Sequence, residues 1–164
     1  MMGPDSSEHD PYYSRYISLV SSDDIVSTLA EQIETTLALL RGAGLRTEPG
    51  KWSIRQVVGH LSDTERILSY RALRTARNDK TPIEGFAQDD YVRYGPFESC
   101  PLSSLIDEFL QVREATVSLF RHLDQDAWTR TGTANNAPIT VRALAWIIAG
   151  HELHHRAALR NIPQ

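Results

Sequence analysis

Three of the six histidines in the chain lie close together in the segment GHELHH. His151 and His155 are four residues apart, so on a helix they lie one turn apart on the same face. Two imidazoles at this spacing can bind one metal ion, and they can equally be satisfied by hydrogen bonds. The apolar residues Val141, Leu144 and Ile148 belong to the same stripe, which predicts that both histidines face the interior. Imidazoles buried there without a metal or polar partners would be costly.

A third histidine, His60, occurs in the segment VVGHLSDTER, which also has helical periodicity. It follows Val57 by three residues and precedes Ile67 by seven, so it is predicted to lie at the edge of an inward helix face. Three neutral imidazoles from two neighbouring helices would leave metal coordination positions open for water or substrate. An open three-ligand site is typical of catalysis, so the set His60, His151 and His155 indicates a metal centre that does chemistry.

The letters of residues 151–155 also spell HExxH, the signature of zinc proteases. The extended form of that motif needs glycine and histidine where this chain has Ala158 and Asn161. The protease helix also packs beside a sheet, and almost no strands are predicted here. Glu152 lies about 100° from His151 around a helix, which predicts a position on the flank and outside the chemistry. The protease interpretation is therefore disfavoured.

Other polar residues near the histidines are candidates for supporting roles. His154 is predicted to point away from the apolar stripe, either to the surface or against a ligand. Asp63 is a candidate to orient an imidazole or to act as a general base. An exposed helix face is the commoner position for Asp63 and for Glu65. No role is assigned to His9 or His122.

These histidines must be positioned by helices. Apolar residues recur at intervals of three and four in four segments, which predict helices at about residues 24–40, 54–78, 104–123 and 140–160. Ser53 and Gln56 predict a capping box at the start of the second helix. The pattern predicts an all-α fold, an up-down four-helix bundle, with a long loop of residues 79–101 between the second and third helices. A loop of that length in a compact domain is often functional.

Two groups of side chains are candidates to form a pocket near the metal. The aromatic candidates are Trp52, Phe86, Tyr91, Tyr94 and Trp146. The candidates for binding an anion are the arginines of the second helix, Arg66, Arg71, Arg74 and Arg77. Core packing is the alternative for the two tryptophans, and a solvated helix face is the alternative for the arginines.

Composition limits the class of protein. At 164 residues the chain is expected to form one domain, residues 16–164, after a flexible segment of residues 1–15. A net charge of −4 and a pI near 5.8 argue against nucleic acid and anionic membranes as partners. No apolar run reaches the roughly 18 residues of a membrane span and no signal peptide is visible, so a cytoplasmic location is expected. Cys100 is the only cysteine, which excludes an internal disulfide, and it is expected to be inert.

Two long segments resemble a known family. They are GKWSIRQVVGHLSDTERILSYRALRTARNDKTPIEGF and VRALAWIIAGHELHHRAALR, and they resemble the DinB-like (YfiT-like) metal-binding four-helix bundles. In that family one histidine of the GHL helix and the first and last histidines of the HxxHH helix bind a divalent metal. Carried onto this chain, those ligands are His60, His151 and His155, the set that helical spacing had also selected.

The resemblance implies more than the ligands. It implies zinc or nickel as the metal, frequent homodimers and, in some branches, low-molecular-weight thiols in transferase or isomerase reactions, while many members have no assigned reaction. We therefore expect a metal-dependent enzyme that acts on a small molecule. A thiol-dependent S-transferase is the first expectation and a metal-dependent hydrolase the second. The alternative from another class is a non-catalytic, metal-stabilised dimeric protein of a stress response.

Overall fold

The computed structural model of the protein describes residues 2–42 and 50–160. Its helices are α1 Ser14–Ile17, α2 Ile25–Gly42, α3 Ile54–Ala76, α4 Gln88–Tyr94, α5 Leu102–Arg121 and α6 Val141–Arg160. The four long helices match the predicted helices, with ends that differ by about half a turn. Residues 161–164 of the predicted domain lie outside the described residues. None of the described helices is both long and apolar enough to cross a membrane.

The four long helices form a bundle in which α2 and α3 lie diagonally opposite, since each packs mainly against α5 and α6. Near its start, α3 meets the segment that leads into α5, where Gly59 contacts Phe97. Near its end, α3 meets the segment that leads into α6, where Thr75 contacts Gly132. It follows that α3 runs parallel to α5 and antiparallel to α6.

The all-α four-helix bundle is confirmed, but the helix directions differ from a strictly alternating up-down order. The helices α2, α3, α5 and α6 run up, down, down and up. The reason is the long connection after α3, which returns the chain to the end of the bundle where α3 began. α3 has 23 residues, so the connection spans about 35 Å, whereas a tight turn would have forced the next helix to run antiparallel.

Two apolar clusters fill the bundle, one toward each end. Each takes residues from all four long helices: one includes Leu29, Leu68, Val117 and Leu144, and the other includes Leu37, Leu61, Phe109 and Leu159. Buried polar residues lie between the two clusters along each helix, and they include Gln32, Glu65, Arg113, His151 and Glu152; His60 is also buried and lies at the edge of this layer, between Val58 and Leu61. The middle of the bundle is therefore a polar layer, in which the helices supply hydrogen-bond partners to one another.

A capping box sets the register of His60 on α3. Ser53 accepts a hydrogen bond from the backbone N–H of Gln56 at 3.1 Å, and the Gln56 side chain accepts one from the backbone N–H of Ser53 at 2.9 Å. This arrangement is the predicted one. With the first turn fixed, His60 lies two turns further along, on the buried side of the helix.

A β-hairpin precedes α6 and is not among the predicted elements. Its strands are β1 Thr131–Ala134 and β2 Ala137–Thr140. Asn135 and Asn136 between them have φ angles of 51° and 63°, which fits a two-residue turn with both residues left-handed. Two consecutive asparagines were the available sequence signal, because asparagine tolerates this conformation. The strands themselves are too short for periodicity to reveal them.

The segment before α1 packs on the start of α6. Glu8 accepts hydrogen bonds from Thr140 Oγ1 at 2.7 Å and from Arg142 Nε at 3.1 Å. α1 lies so close to α6 that a Cβ atom on Gly150 would stand 2.0 Å from the backbone oxygen of Tyr16. The flexible segment and the domain boundary at residue 16 stay predictions, although Glu8 ties this segment to the bundle.

Candidate metal centre

His60, His151 and His155 converge in the polar layer, although they come from two helices. His60 Nε2 lies 3.1 Å from His151 Nε2, and each residue offers a nitrogen within 4.8 Å of those of the other two. The ring centroid of His60 is 5.0 Å from each of the other rings, which are themselves 4.6 Å apart. The structure therefore brings the three predicted ligands into one cluster.

A glycine precedes the first histidine of the cluster on each helix. A Cβ atom on Gly59 would stand 2.2 Å from the ring of Phe97, and one on Gly150 would stand 2.0 Å from the Tyr16 backbone oxygen. Because glycine has no Cβ, these neighbours can approach the helices closely. One result is that the Tyr16 ring packs edge-on to His151, with the centroids 5.3 Å apart.

All three imidazoles are held in the neutral form. Burial lowers the pKa of His60 to about 4, although the Asp89 carboxylate acts in the opposite direction. Burial, and then the neighbouring side chains of His60, His154 and Arg15, lower the pKa of His155 to about 3. Burial and the neighbouring imidazoles hold the pKa of His151 well below its ordinary value. Neutral imidazoles keep the lone pairs that metal binding requires.

The donor set fits a divalent metal ion. Thr64 Oγ1 lies 3.3 Å from His60 Nδ1, so Nε2 is the nitrogen of His60 that faces the other imidazoles. Two nitrogens that bind one ion at about 2.0–2.1 Å are roughly 2.9–3.4 Å apart at ordinary coordination angles. The pair His60–His151, at 3.1 Å, already has this spacing. Imidazole suits zinc, nickel, copper and iron alike, so the donor set does not select a metal.

A cavity of about 670 Å³ opens beside the cluster. His151 and Thr64 line it, together with Tyr16 from α1 and with Phe86 and Asp89 from the connection between α3 and α5. Its volume is that of a site for a small organic molecule. The long predicted loop thus contributes walls of the cavity, which reaches one of the three ligand histidines.

The aromatic candidates separate into two groups. Phe86 lines the cavity and contacts the ring of Tyr91 at 5.2 Å, and the Trp52 ring lies 4.9 Å from that of His60. Trp146, in contrast, is buried in an apolar cluster, and Tyr94 is 78% exposed. Core packing, the alternative interpretation, is therefore correct for Trp146, whereas Trp52 lies beside the metal centre.

Glu152 corrects the sequence interpretation in one respect, because it is fully buried and not on the flank of the bundle. Arg113 donates to Glu152 Oε2 at 2.6 Å and binds both carboxylate oxygens of Glu65 at 2.8 Å. Gln32 also donates to Glu152. Glu65 was likewise expected on an exposed face and is buried. Since Arg113 comes from α5, a helix without a histidine ligand, these buried partners could not be paired from sequence spacing.

The binding of Glu152 by Arg113 also bears on the HExxH motif. In a zinc protease the glutamate acts as the general base beside the metal. Here its carboxylate is held in an ion pair that links α6 to α5, and through Glu65 to α3. The carboxylate of Glu152 is thus bound by Arg113 within the bundle, and the position of Glu152 outside the chemistry stays a prediction.

The remaining polar candidates lie around the cluster or away from it. Asp63 is half-buried and lies 3.5 Å from Arg66, and it is not among the residues that line the cavity. His154 is exposed, with its ring 5.3 Å from that of His155. Thr64 was not predicted, although its position one helical turn after His60 was a usable signal. Cys100, His9 and His122 lie outside the cluster.

A bundle with three histidines from two helices beside an open cavity defines a class of metal-binding helical proteins. Residues 27–159 match the family model of the DinB superfamily, and the chain belongs to that superfamily. The resemblance seen in the GHL and HxxHH segments is confirmed.

Individual relatives agree with this assignment. OB0413 of Oceanobacillus iheyensis, whose name proposes a metal-dependent hydrolase, is 28% identical over 113 residues, which are 68% of this chain and 64% of that protein. The chain thus spans slightly less than two thirds of that relative's length. YfiT from Bacillus subtilis, proposed to be a metal-dependent hydrolase with an unusual four-helix bundle topology, has a TM-score of 0.70 at 17% identity, covering 97% of this chain and 90% of YfiT.

The mycothiol-dependent maleylpyruvate isomerase has a similar structure. Its TM-score is 0.68 at 14% identity, and the match covers 90% of this chain and 66% of the isomerase. At such identities the two structural matches show the fold alone, and the match to YfiT confirms the four-helix bundle.

Proposed function

We propose that this protein is a divalent-metal-dependent hydrolase that acts on a small molecule. The observation that carries the proposal is the cluster of three neutral imidazoles beside a cavity of about 670 Å³. A structural metal site is normally closed by four protein ligands, whereas three ligands leave room for reactants. The names of OB0413 and YfiT support hydrolysis as the reaction class.

Each residue of the candidate site has its own proposed role. His60, His151 and His155 would hold the ion, and Thr64 orients His60 through its Nδ1. When bound, a divalent metal supplies Lewis acidity, which lowers the pKa of water or of a thiol and polarises an acceptor oxygen. Zinc and nickel are the proposed occupants.

Asp89 is the proposed proton acceptor. It lies in the cavity wall, and its charge acts on His60, as its effect on the pKa of that imidazole indicates. Hydrolysis requires a group that takes a proton from water, and a carboxylate near the reacting atoms can do so. Asp63, the candidate that the sequence offers for this role, lies 3.5 Å from Arg66 and is not among the residues that line the cavity.

A second candidate is a thiol-dependent transferase or isomerase, which the sequence alone placed first. The similarity to a mycothiol-dependent isomerase favours it. The same metal centre would then activate a thiol in place of water, and the cavity would accommodate the rest of the thiol cofactor. We rank the hydrolase first because two relatives carry names that propose hydrolysis. A homodimer is proposed on the family resemblance, and light scattering of the purified protein tests it.

The test uses full-length protein purified without a histidine tag. Elemental analysis measures bound metal, and turnover is measured with 4-nitrophenyl esters, and with glutathione plus 1-chloro-2,4-dinitrobenzene for the thiol reaction. We expect ester hydrolysis that chelator abolishes, that His60→Ala abolishes and that the matched variant His154→Ala retains. Asp89→Asn should lower kcat with the metal content unchanged, whereas Asp107→Asn, which changes an exposed carboxylate on α5, should leave kcat unchanged. A folded protein with a full complement of metal and no turnover of either kind would favour the non-catalytic, metal-stabilised protein.

A further inference from the structure

Arg71 on α3 is buried, with 1% of its surface exposed, although the sequence favours a solvated position for it. Its Nη2 donates to the backbone oxygen of Glu84 at 2.9 Å, and its Nη1 donates to the Tyr13 hydroxyl at 3.4 Å. Its Nε is buried and has no hydrogen-bond partner among the described residues. Among the residues that the structure describes, Arg71 forms no ion pair within 4.0 Å.

Arg113 is an equally buried arginine, and the bundle supplies its guanidinium with anionic partners. Arg113 is also 1% exposed, and it is neutralised by the carboxylates of Glu65 and Glu152. A buried charge without an opposite charge is strongly disfavoured. Arg71 has only two neutral oxygen acceptors, one of them distant, so its charge lacks an anionic partner among the described residues. The missing partner is expected to come from outside the protein.

Arg71 lines the same cavity as His151. On α3, His60, Thr64, Leu68 and Arg71 follow one another at helical spacing, and the last three line the cavity. Eleven residues of helix separate His60 from Arg71, a rise of about 16 Å. Side chains on a helix lean toward its N-terminus, so the guanidinium extends toward the metal centre. A small elongated molecule can therefore reach both groups.

We propose that Arg71 binds a carboxylate of the substrate at the end of the cavity remote from the three histidines. This inference rests on the proposed metal-dependent function and names the class of its substrate: an elongated carboxylic acid with the reacting group at its other end. A guanidinium matches a carboxylate through paired N–H donors. Tyr13 and Phe86 in the same wall suit an apolar body between the two ends.

The negative charge of the cavity wall further restricts the class of anion that can bind. Asp10, Asp89 and Asp90 also line it, and their like charge disfavours a ligand with several negative charges. Arg71 is a single cation, so it can neutralise one carboxylate and not a polyphosphate. A monocarboxylate is therefore favoured over a nucleotide or a sugar diphosphate.

The test compares two probes of equal shape, 4-phenylbutanoate and its neutral amide, by calorimetry on full-length protein. The wild-type protein should bind the carboxylate at least about tenfold more tightly than the amide, which corresponds to about 1.4 kcal/mol of binding free energy. Arg71→Met should remove this preference. Arg77→Met, which removes an exposed arginine from the same helix end, should keep it. A wild type without the preference, or an Arg71→Met variant that retains it, overturns the proposal.

A measurement on unaltered protein covers the case in which Arg71→Met does not fold. The Nε–H resonance of Arg71 should shift when the carboxylate is added and stay in place with the amide, and an unmoved resonance overturns the proposal. Turnover of the 4-nitrophenyl esters is measured on the untreated, metal-containing protein alongside both binding experiments. If the carboxylate is preferred but this protein shows no metal-dependent turnover, the hydrolase proposal fails and the carboxylate site stands. If turnover is present without the preference, the carboxylate site fails alone.

Discussion

His60 Nε2 and His151 Nε2 lie 3.1 Å apart although 91 residues separate them in the chain. The contact joins α3 to α6 across the polar layer of the bundle. Both nitrogens belong to buried rings with lowered pKa values, so two neutral imidazoles face each other at the spacing of two ligands on one ion. His155, one turn further along α6, completes the cluster.

Removal of one ligand should abolish tight metal binding. In His60→Ala we expect the affinity for zinc or nickel to fall more than about 100-fold, because loss of groups that merely support ligands already lowers affinity 10–100-fold. His154→Ala is the control, since it removes an exposed imidazole that lies on α6 between the other two candidate ligands, His151 and His155. Competition with a chromogenic chelator measures both affinities. Equal affinities in the two variants would contradict the ligand assignment.

Gly150 should tolerate no side chain. Gly150→Ala would place a Cβ atom 2.0 Å from the backbone oxygen of Tyr16, so α1 must move away from α6. Such overpacking typically destabilises by about 1–3 kcal/mol, and here it would also loosen the Tyr16–His151 contact. We expect a lower Tm and weaker metal binding. Gly42→Ala has no atom within 4 Å of the new Cβ and should leave both unchanged; a similar loss in this control would refute the steric explanation.

The buried ion pairs of Arg113 should matter for stability far more than surface pairs do. Arg113→Met would leave the carboxylates of Glu65 and Glu152 buried without their cation, which costs about 3–5 kcal/mol. Arg66→Met removes a half-exposed ion pair with Glu108 and should cost less than about 1 kcal/mol. Urea unfolding measures the two free energies. Comparable losses would show that the buried network contributes little.

Stability should fall in acid partly because of Glu8. Burial alone would raise its pKa, but hydrogen bonds, chiefly from Arg142, leave the pKa of Glu8 below its ordinary value of 4.5. The unfolded chain therefore binds this proton more readily. The stabilisation is present above pH 4.5 and is lost as the pH falls through the lower pKa of the folded state.

The matching variant is Glu8→Gln. It should lower the Tm at pH 7 and should show a shallower decline of Tm between pH 5 and pH 3 than wild type, as measured by thermal denaturation across that range. The control is Glu114→Gln, which changes an exposed carboxylate on α5 and should follow the wild-type curve. If Tm falls as steeply with pH in Glu8→Gln as in the wild type, Glu8 does not contribute to the loss of stability in acid.

Local patterns predicted the elements of this protein well. Apolar spacing located α2, α3, α5 and α6, and the pair Ser53–Gln56 predicted the start of α3. The hairpin was not predicted, because its strands are too short to show an alternating apolar pattern. Only Asn135 and Asn136 indicated a turn. Helix periodicity has the range of one element, so it says nothing about which elements are neighbours.

The sequence by itself determined which three histidines are the candidate metal ligands. His151 and His155 continue the apolar stripe of one helix, and His60 lies at the edge of the apolar face of another. Only the tertiary structure decided what surrounds them. It buried Arg71 beside a cavity and paired Arg113 with Glu65 and Glu152, where local spacing favoured exposed positions. The physical reason is that a charged residue can be buried only when partners from other helices or from a ligand satisfy it. Such partners are distant in sequence, and only the packing of the helices brings them together.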